Sequence, residues 1–493
     1  MRFPFYFPKL TFTVTNEAVD ETGEPIEKIG ETLSPNLRAL RLGMRFSDVL
    51  LSMGVAASDV VTYALDITET YCKRAVHIDI SSNQIIFSQD RGIDREPLTL
   101  MRSMTPRDTN YMVVQQLQEL ARHIKSGYLP LEQAEKHYEK IRDQHATRPS
   151  WSRTVANALV STGVVMLFSY SWALIGITFV LACIVDRLVY YLSKNHVPRF
   201  FGQAAAATLI TLVAAGAAWI GQESSSSIVS HTDPTLIVVG GIVMLVAGMT
   251  IFSAIQDAID EFYLTATARI FKVGMMTTGI VVGILFGMYI AQRIGWPISV
   301  SDQSIPLGPV SFQLIGAIII STGWAYYTQA HARAILASAV IGGSAWMIYL
   351  FAVDGWQLND IVGNGIAALF VGFLATIISR AGRMPAVAII TAGVVPLVPG
   401  LMLYRGLMQI INNPPGTPHF EASIGTLFAA VGIGFAIAAG ATLGAFLAKP
   451  LRDRLVFVRN LTNDQQHTRT RSLKLADAAL TDSEQQVHAS NEV

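Results

Sequence analysis

AGVVPLVPGLMLYRG, residues 392–406, is almost wholly apolar before Arg405, yet it carries two prolines three residues apart. A proline inside a helix cannot donate to the carbonyl four residues before it. Pro396 and Pro399 are therefore expected to free the carbonyls of Ala392 and Val395. Counting about 1.5 Å per residue from Pro385 brings Pro396 to Gly400 to the middle of a bilayer. Bare peptide groups at that depth are tolerated only where they are buried in protein or line a wet cavity. Freed carbonyls suit an ammonium group, and the N–H groups opening the next half-helix suit a carboxylate. A zwitterionic solute offers both. The alternative is a kink repaired by neighbouring helices.

Around this stretch the chain keeps one character from Thr154 to Lys449. Spanning the hydrocarbon takes roughly 20 apolar residues. Stretches that qualify lie near 155–171, 172–192, 201–221, 235–254, 270–290, 310–328, 334–353, 360–379, 385–405 and 422–447. Ten crossings, the first two joined by a tight hairpin at Ser169 to Trp172, gather cations on one side. These are Arg187, Lys194 and Arg199; Arg269 and Lys272; Arg333; Arg380 and Arg383; and Arg452 and Arg454 in the tail. The opposite links hold Arg293, with Arg405 near the membrane edge. This asymmetry follows the positive-inside rule and predicts a multi-pass protein with both termini in the cytoplasm.

Composition agrees. Of 493 residues, 51% are hydrophobic and 15% charged, against about 25% charged in soluble domains. Lys+Arg and Asp+Glu both number 36, which leaves no concentrated basic field for a nucleic acid. Cys72 and Cys183 are the two cysteines, too few for a disulfide framework, and no Cys/His cluster suggests a metal. No G-x-x-x-x-G-K-S/T loop is present, so no nucleotide cofactor is implied. The segment MRFPFYFPKLTF lacks a small-residue cleavage site and does not read as a signal peptide.

Before the membrane part, residues 1–36 read as a flexible segment and 37–150 as a small α+β domain. Leu40, Met44, Val49 and Leu50 recur at helical spacing, with a break near Gly54. AVHIDISSNQIIFS, residues 75–88, alternates as a β-hairpin does. Two amphipathic helices follow, about 108–126 and 131–144, separated by Gly127 and Pro130. His77, Asp79 and Ser81 share a strand face in a hydrolase-like grouping, but no nucleophile elbow accompanies them. A membrane-anchored hydrolase-like enzyme is thus the competing interpretation, with a polar surface cluster as the plainer account of these residues.

An internal repeat organises the rest. LVAGMTIFSAIQDAID (245–260) lies over LVPGLMLYRGLMQIIN (397–412), pairing Leu245, Val246 and Gly248 with Leu397, Val398 and Gly400. PTLIVVGGIVM from Pro234 resembles PAVAIITAGVV from Pro385. Two five-helix units, 151–295 and 308–449, have an odd number of crossings each and so take opposite topologies. Inverted repeats are a device of alternating-access transporters. Residues 450–493 form the tail.

The segments RFSDVLLSMGVAASDV (45–60), HIDIS (77–81), LVAGMTIFSAIQDAI with LTATAR (245–269) and VVPLVPGLMLYRGL (394–407) resemble the threonine/serine exporter (ThrE) family of bacterial secondary transporters. The resemblance implies ten crossings in the cytoplasmic membrane, a cytosolic N-terminal domain, and export of L-threonine and L-serine driven by the proton motive force. Its partners are then these amino acids, protons and the lipid bilayer, and a homo-oligomer is compatible with it. One departure stands out: where members often have Gly after the QD motif, this chain has Asp260 and Glu261.

Candidate substrate contacts are Ala392, Val395, Pro396, Pro399 and Gly400, with Tyr404 and Arg405 on the following half-helix. Gly248, Gln256 and Thr265 are their candidates in the first repeat. In QDAIDEFYLTATAR, Asp257, Asp260 and Glu261 are expected on one helix face near the cytoplasmic end of the fourth crossing. Such crowding raises at least one carboxyl pKa and suits proton exchange, with Arg269 as a pairing cation. A solvated acidic helix end is the alternative for Asp260 and Glu261. Asp186 and Arg187 read as an interfacial pair whose arginine snorkels, and Asn157 as a helix-packing residue.

Overall fold

The computed structural model describes residues 34–450 except 73, 93–94, 106, 145–147, 224–233, 246–247, 297–305, 383, 413–416 and 418–419. Residues 1–33 of the expected N-terminal segment and the tail arginines lie outside these residues, while residues 35 and 36 already belong to the first helix. The head begins with α1 (Pro35–Ser52), whose Ser34 hydroxyl accepts the Leu37 N–H at 3.2 Å. Gly54, at φ +86°, turns the chain into α2 (Ala57–Tyr71). A left-handed residue at a helix end is where glycine costs least.

Three antiparallel strands follow: β1 (Val76–Ser81), β2 (Gln84–Gln89) and β3 (Leu98–Ser103), in that spatial order. The expected hairpin is β1–β2, closed between Ser81 and Gln84. The third strand is an addition. Helices α3 (Tyr111–Lys125) and α4 (Leu131–Gln144) complete the head, α3 being capped by Asn110 Oδ1, which accepts from Met112 and Val113 N–H. Phe46, Leu50, Ile85, Phe87, Leu117 and Ile124 are fully enclosed in its core. Burying such side chains contributes about 1.5–3 kcal/mol each.

Among the described residues, twelve α-helices follow. The first half holds α5 (Ser150–Phe168), α6 (Trp172–Lys194), α7 (Arg199–Glu223), α8 (Pro234–Ile242), α9 (Gly248–Ile259) and α10 (Tyr263–Arg293). The second holds α11 (Val310–Tyr327), α12 (Ala332–Leu350), α13 (Asp360–Gly382), α14 (Ala386–Val394), α15 (Gly400–Asn412) and α16 (Phe420–Pro450). Among the described residues, seven helices are long and apolar enough to cross a membrane: α6, α7, α10, α11, α12 with its extension to Gly355, α13 and α16. The protein is an α-helical membrane protein. Phe271, Phe286, Leu336, Phe428 and Phe446 stand exposed on its helices, which bilayer contact explains and water does not.

The fourth crossing, expected as one helix over 235–254, is instead two, α8 and α9. Its break has no proline. Gly240, Gly241 and Gly248 flank it, each lowering helix propensity by about 1 kcal/mol relative to alanine. The ends of the first helices match at an offset of 152 residues: α8 ends at 242 and α14 at 394. Helix α8 packs against α5, α6 and α7, and α14 packs against α11, α12 and α13. Every residue from Thr235 to Ile242 is buried, as are Ala388, Ile389 and Thr391 to Val394.

Small residues set the closest helix approaches. A Cβ on Gly279 or Gly283 of α10 would meet the carbonyl oxygen of Phe200 or Ala204 on α7. In the second half a Cβ on Gly372 of α13 would strike the carbonyl of Ala441 on α16. The runs AAAATL (204–209) and AIAAGATLGA (436–445) thus belong to these two contacts, as small residues do in membrane helix pairs.

Candidate functional site

In the second half, α14 gives way at Val394 to a 3₁₀ turn over Val395–Leu397, then to extended backbone at Val398 before α15 begins at Gly400. Pro396 and Leu397 are buried, whereas Val398, Pro399 and Gly400 are half-buried. A Cβ on Gly400 would meet nothing within 4 Å. The break therefore borders open space. One expectation is corrected: the Val395 carbonyl is not free, because it accepts the Val398 N–H at 3.2 Å. The 3₁₀ turn re-satisfies what Pro399 cannot donate to. Arg405 is half-buried on α15, and the Tyr404 side chain and Gly248, beyond its place as the first residue of α9, lie outside what is described.

The acidic segment folds differently from its sequence expectation. Asp257, Asp260 and Glu261 do not share one helix face, because α9 ends at Ile259 and the other two acids occupy the turn into α10. Asp257 is fully buried, its Oδ2 lying 2.9 Å from Arg269 Nη1 on α10. Glu261 is exposed and left-handed, at φ +69°. It therefore takes the backbone conformation that glycine fills most cheaply. Gln256 is half-buried beside Asp257.

The head caps this turn. At the start of α2, the Ala57 N–H donates to Asp257 Oδ1 at 3.4 Å, and the Ser58 hydroxyl donates to Asp260 Oδ2 at 2.6 Å. The positive end of a helix facing carboxylates is a favourable arrangement. Thr265, proposed from sequence as a substrate hydroxyl, is buried and accepts the N–H of Ser82 at 3.0 Å. Ser82 occupies the β1–β2 turn at φ +57°. Asp59 stands beside these groups. Enclosure by protein lifts its carboxyl above the usual carboxylate range, Asp260 adds to that shift and Lys449 opposes it. Asp59 itself is exposed to solvent.

A second joint ties the head to the other half. The Tyr111 N–H donates to the Thr328 carbonyl at 2.9 Å, and its hydroxyl lies 3.1 Å from Thr391 Oγ1 on α14. Arg148 donates to the carbonyls of Tyr326 and Ala330 at 2.9 and 2.8 Å and stacks over the Tyr326 ring. Nearby, Asp186 accepts from Thr154, Asn157 and Arg187 at 2.6, 2.7 and 2.8 Å, linking α5 to α6. His77 and Asp79 are exposed along β1. Sequence reading missed Ser58, Asp59, Ser82, Tyr111 and Arg148 as joint residues. The signal for the first two was ASDV after Gly54, a polar group opening a helix.

Comparison with known proteins follows the same division. Residues 41–291 match the family model of threonine/serine exporters, and residues 313–447 match a second, "Threonine/Serine exporter, ThrE". The first match thus spans α1 to α10 and the second α11 to α16. A protein named "Probable threonine/serine exporter" from Mycobacterium tuberculosis (strain ATCC 25618 / H37Rv) is 31% identical over 424 residues, covering 84% of this chain and 77% of the relative. The "Threonine/serine exporter" of Corynebacterium glutamicum is 28% identical over 420 residues, covering 84% and 83%. No solved structure matches the chain. With the matches running through the head, both broken helices and the capped acidic turn, the chain belongs to the threonine/serine exporter family.

Proposed function

We propose that this chain is a secondary transporter that exports L-threonine and L-serine from the bacterial cytoplasm by proton antiport, through alternating access of two inverted five-helix repeats. The reading takes ten crossings, counting α5 and each broken pair as one, with the head and both termini cytoplasmic. The single observation that carries it is the pair of helix breaks at matching positions, one of which borders open space at Gly400. Discontinuous helices in corresponding places of two halves are the usual seat of a carrier's substrate site.

At the second break, the N–H groups opening α15 present positive partial charge to a carboxylate. Backbone carbonyls ending α14 suit the ammonium, with Val395 excluded because its oxygen is already used. The proton step falls to Asp257, an acid buried in the membrane part and paired with Arg269. Protonating it releases Arg269 and loosens the α9–α10 turn, which is how a proton would bias one state over the other.

The test is export of labelled threonine or serine from proteoliposomes under an imposed proton gradient. Pro399→Ala with Gly400→Leu should abolish export while the protein still inserts. Asp257→Asn should leave residual movement that no longer follows the gradient. Normal export by the first variant would end the substrate-site reading, and unchanged proton dependence in the second would end the coupling role.

A further inference from the structure

We infer that the cavity between the head, α5 and the α11–α12 turn binds a small zwitterionic amino acid as an effector, separate from cargo at the helix breaks. The cavity measures about 190 Å³, which suits a molecule of a few heavy atoms. Its walls come from the head, α5 and the α11–α12 turn. The β3–α3 loop supplies Arg107, Asp108 and Asn110, α4 supplies Arg142, α5 supplies Arg153 and the α11–α12 turn supplies Gln329. Arg142 is held by Asp143 at 2.8 Å and Arg107 lies 4.0 Å from Asp48, so the free donor positions of these guanidinium groups are what remain for an anionic group on the ligand.

The polar groups are partly committed, and what remains defines the ligand. Asp108 uses Oδ2 to hold Arg153 at 2.9 Å, which leaves Oδ1 for an ammonium. Arg153 Nε is buried without a hydrogen-bond partner, an expense that a carboxylate would relieve. Gln329 is buried and left-handed, at φ +59°. Its Oε1 accepts from Asn110 Nδ2 at 3.3 Å and from the Arg148 N–H at 3.2 Å, so its Nε2 group is the part left to donate. A backbone held in that conformation costs of order 1–3 kcal/mol and is retained where surrounding structure demands it. Val49, Met53, Val113 and Leu117 line the other wall, fitting a short side chain with a methyl group.

A carboxylate, an ammonium and a short partly apolar side chain together describe a small α-amino acid. The choice of an amino acid over another zwitterion rests on the carrier reading. Occupancy would tie the head to α5 and to α11, which pack against each other across the two halves. A ligand held there favours whichever state brings the three together. Cytosolic substrate would then set the activity of its own exporter.

Binding of labelled L-threonine to the full chain in lipid nanodiscs tests this, measured in the Pro399→Ala, Gly400→Leu background so that the helix-break site is silent. Arg142→Gln and Arg107→Gln should each weaken binding by about tenfold or more, as loss of a charged hydrogen bond does. Val49→Phe should abolish binding by filling the cavity, and Asp108→Asn should weaken threonine while leaving acetate unaffected. Thermal unfolding of each variant separates lost binding from lost fold. Threonine binding that ignores all four substitutions, no binding at all, or acetate competing as well as serine would each overturn the proposal. Failure of the wild type to export threonine, with cavity binding intact, would instead sink the carrier reading alone.

Discussion

The two broken helices are alike in register and unlike in chemistry. Helices α8 and α14 stop 152 residues apart (242 and 394), yet the second break is made by Pro396 and Pro399 where the first has Met244 and Ala247. Charge differs too. At the same offset, Asp257 of α9 corresponds to Gln409 of α15. One half thus carries a buried acid clamped by Arg269 and capped by the head, and the other carries an amide. What the halves share is interrupted backbone, while proline and charge are separate devices laid over it.

The largest effect is expected from erasing the charge difference. Asp257→Gln makes α9 resemble α15 at that position but strands the Arg269 guanidinium in a nearly closed site. Removing one member of a buried ion pair typically costs about 3–5 kcal/mol. Unfolding of the variant in nanodiscs should therefore begin well below that of the parent chain, and Arg269→Gln in the same background should restore most of the difference. If the single and double variants unfold together, the pair contributes little to the fold.

Next comes the difference between closed and open glycines. On Gly372, a valine collides with the carbonyl of Ala441, and over-packing of this kind costs about 1–3 kcal/mol. At Gly400 an added Cβ meets nothing within 4 Å, so Gly400→Val should leave stability nearly unchanged and yet lower export. Equal losses of stability at the two positions would mean that the space beside Gly400 is not open in the membrane.

These contrasts show which parts were legible. The proline-marked break, the Ser169–Trp172 hairpin and the head helices all left local signals: a missing donor, a short polar gap, apolar spacing of 3.6. The first break left none, since Gly240, Gly241 and Gly248 are ordinary in membrane helices, and only its alignment with the proline segment pointed there. LTLMRS gave too short an alternation to mark β3. Nothing local could reveal that Ala57 and Ser58 meet Asp257 and Asp260, because the pairs stand 200 and 202 residues apart. The acidic cluster was visible, but its partner was not.

The two joints of the head should also separate. Tyr111→Phe deletes the hydroxyl that meets Thr391 on α14 and leaves the capped turn at Asp257 untouched. Loss of one neutral hydrogen bond is worth about 1 kcal/mol. Limited proteolysis should then cut near the start of α3 several-fold faster while the α9–α10 turn stays protected. Faster cutting at both places would show that the head leaves as one rigid piece.

The smallest effect concerns Glu261, which holds the turn after α9 at φ +69°. An L-residue in that region is disfavoured by about 1–2 kcal/mol, and glycine is not, although its freer unfolded chain returns about 0.5–1 kcal/mol of the gain. Glu261→Gly should therefore raise stability by about 1 kcal/mol or less, read as a small upward shift in the unfolding midpoint. Because Glu261 is exposed, its carboxylate has little to lose on removal. Lower stability would instead show that its side chain fixes the turn, and that the acid after Asp260 is there to position the buried Asp257–Arg269 pair.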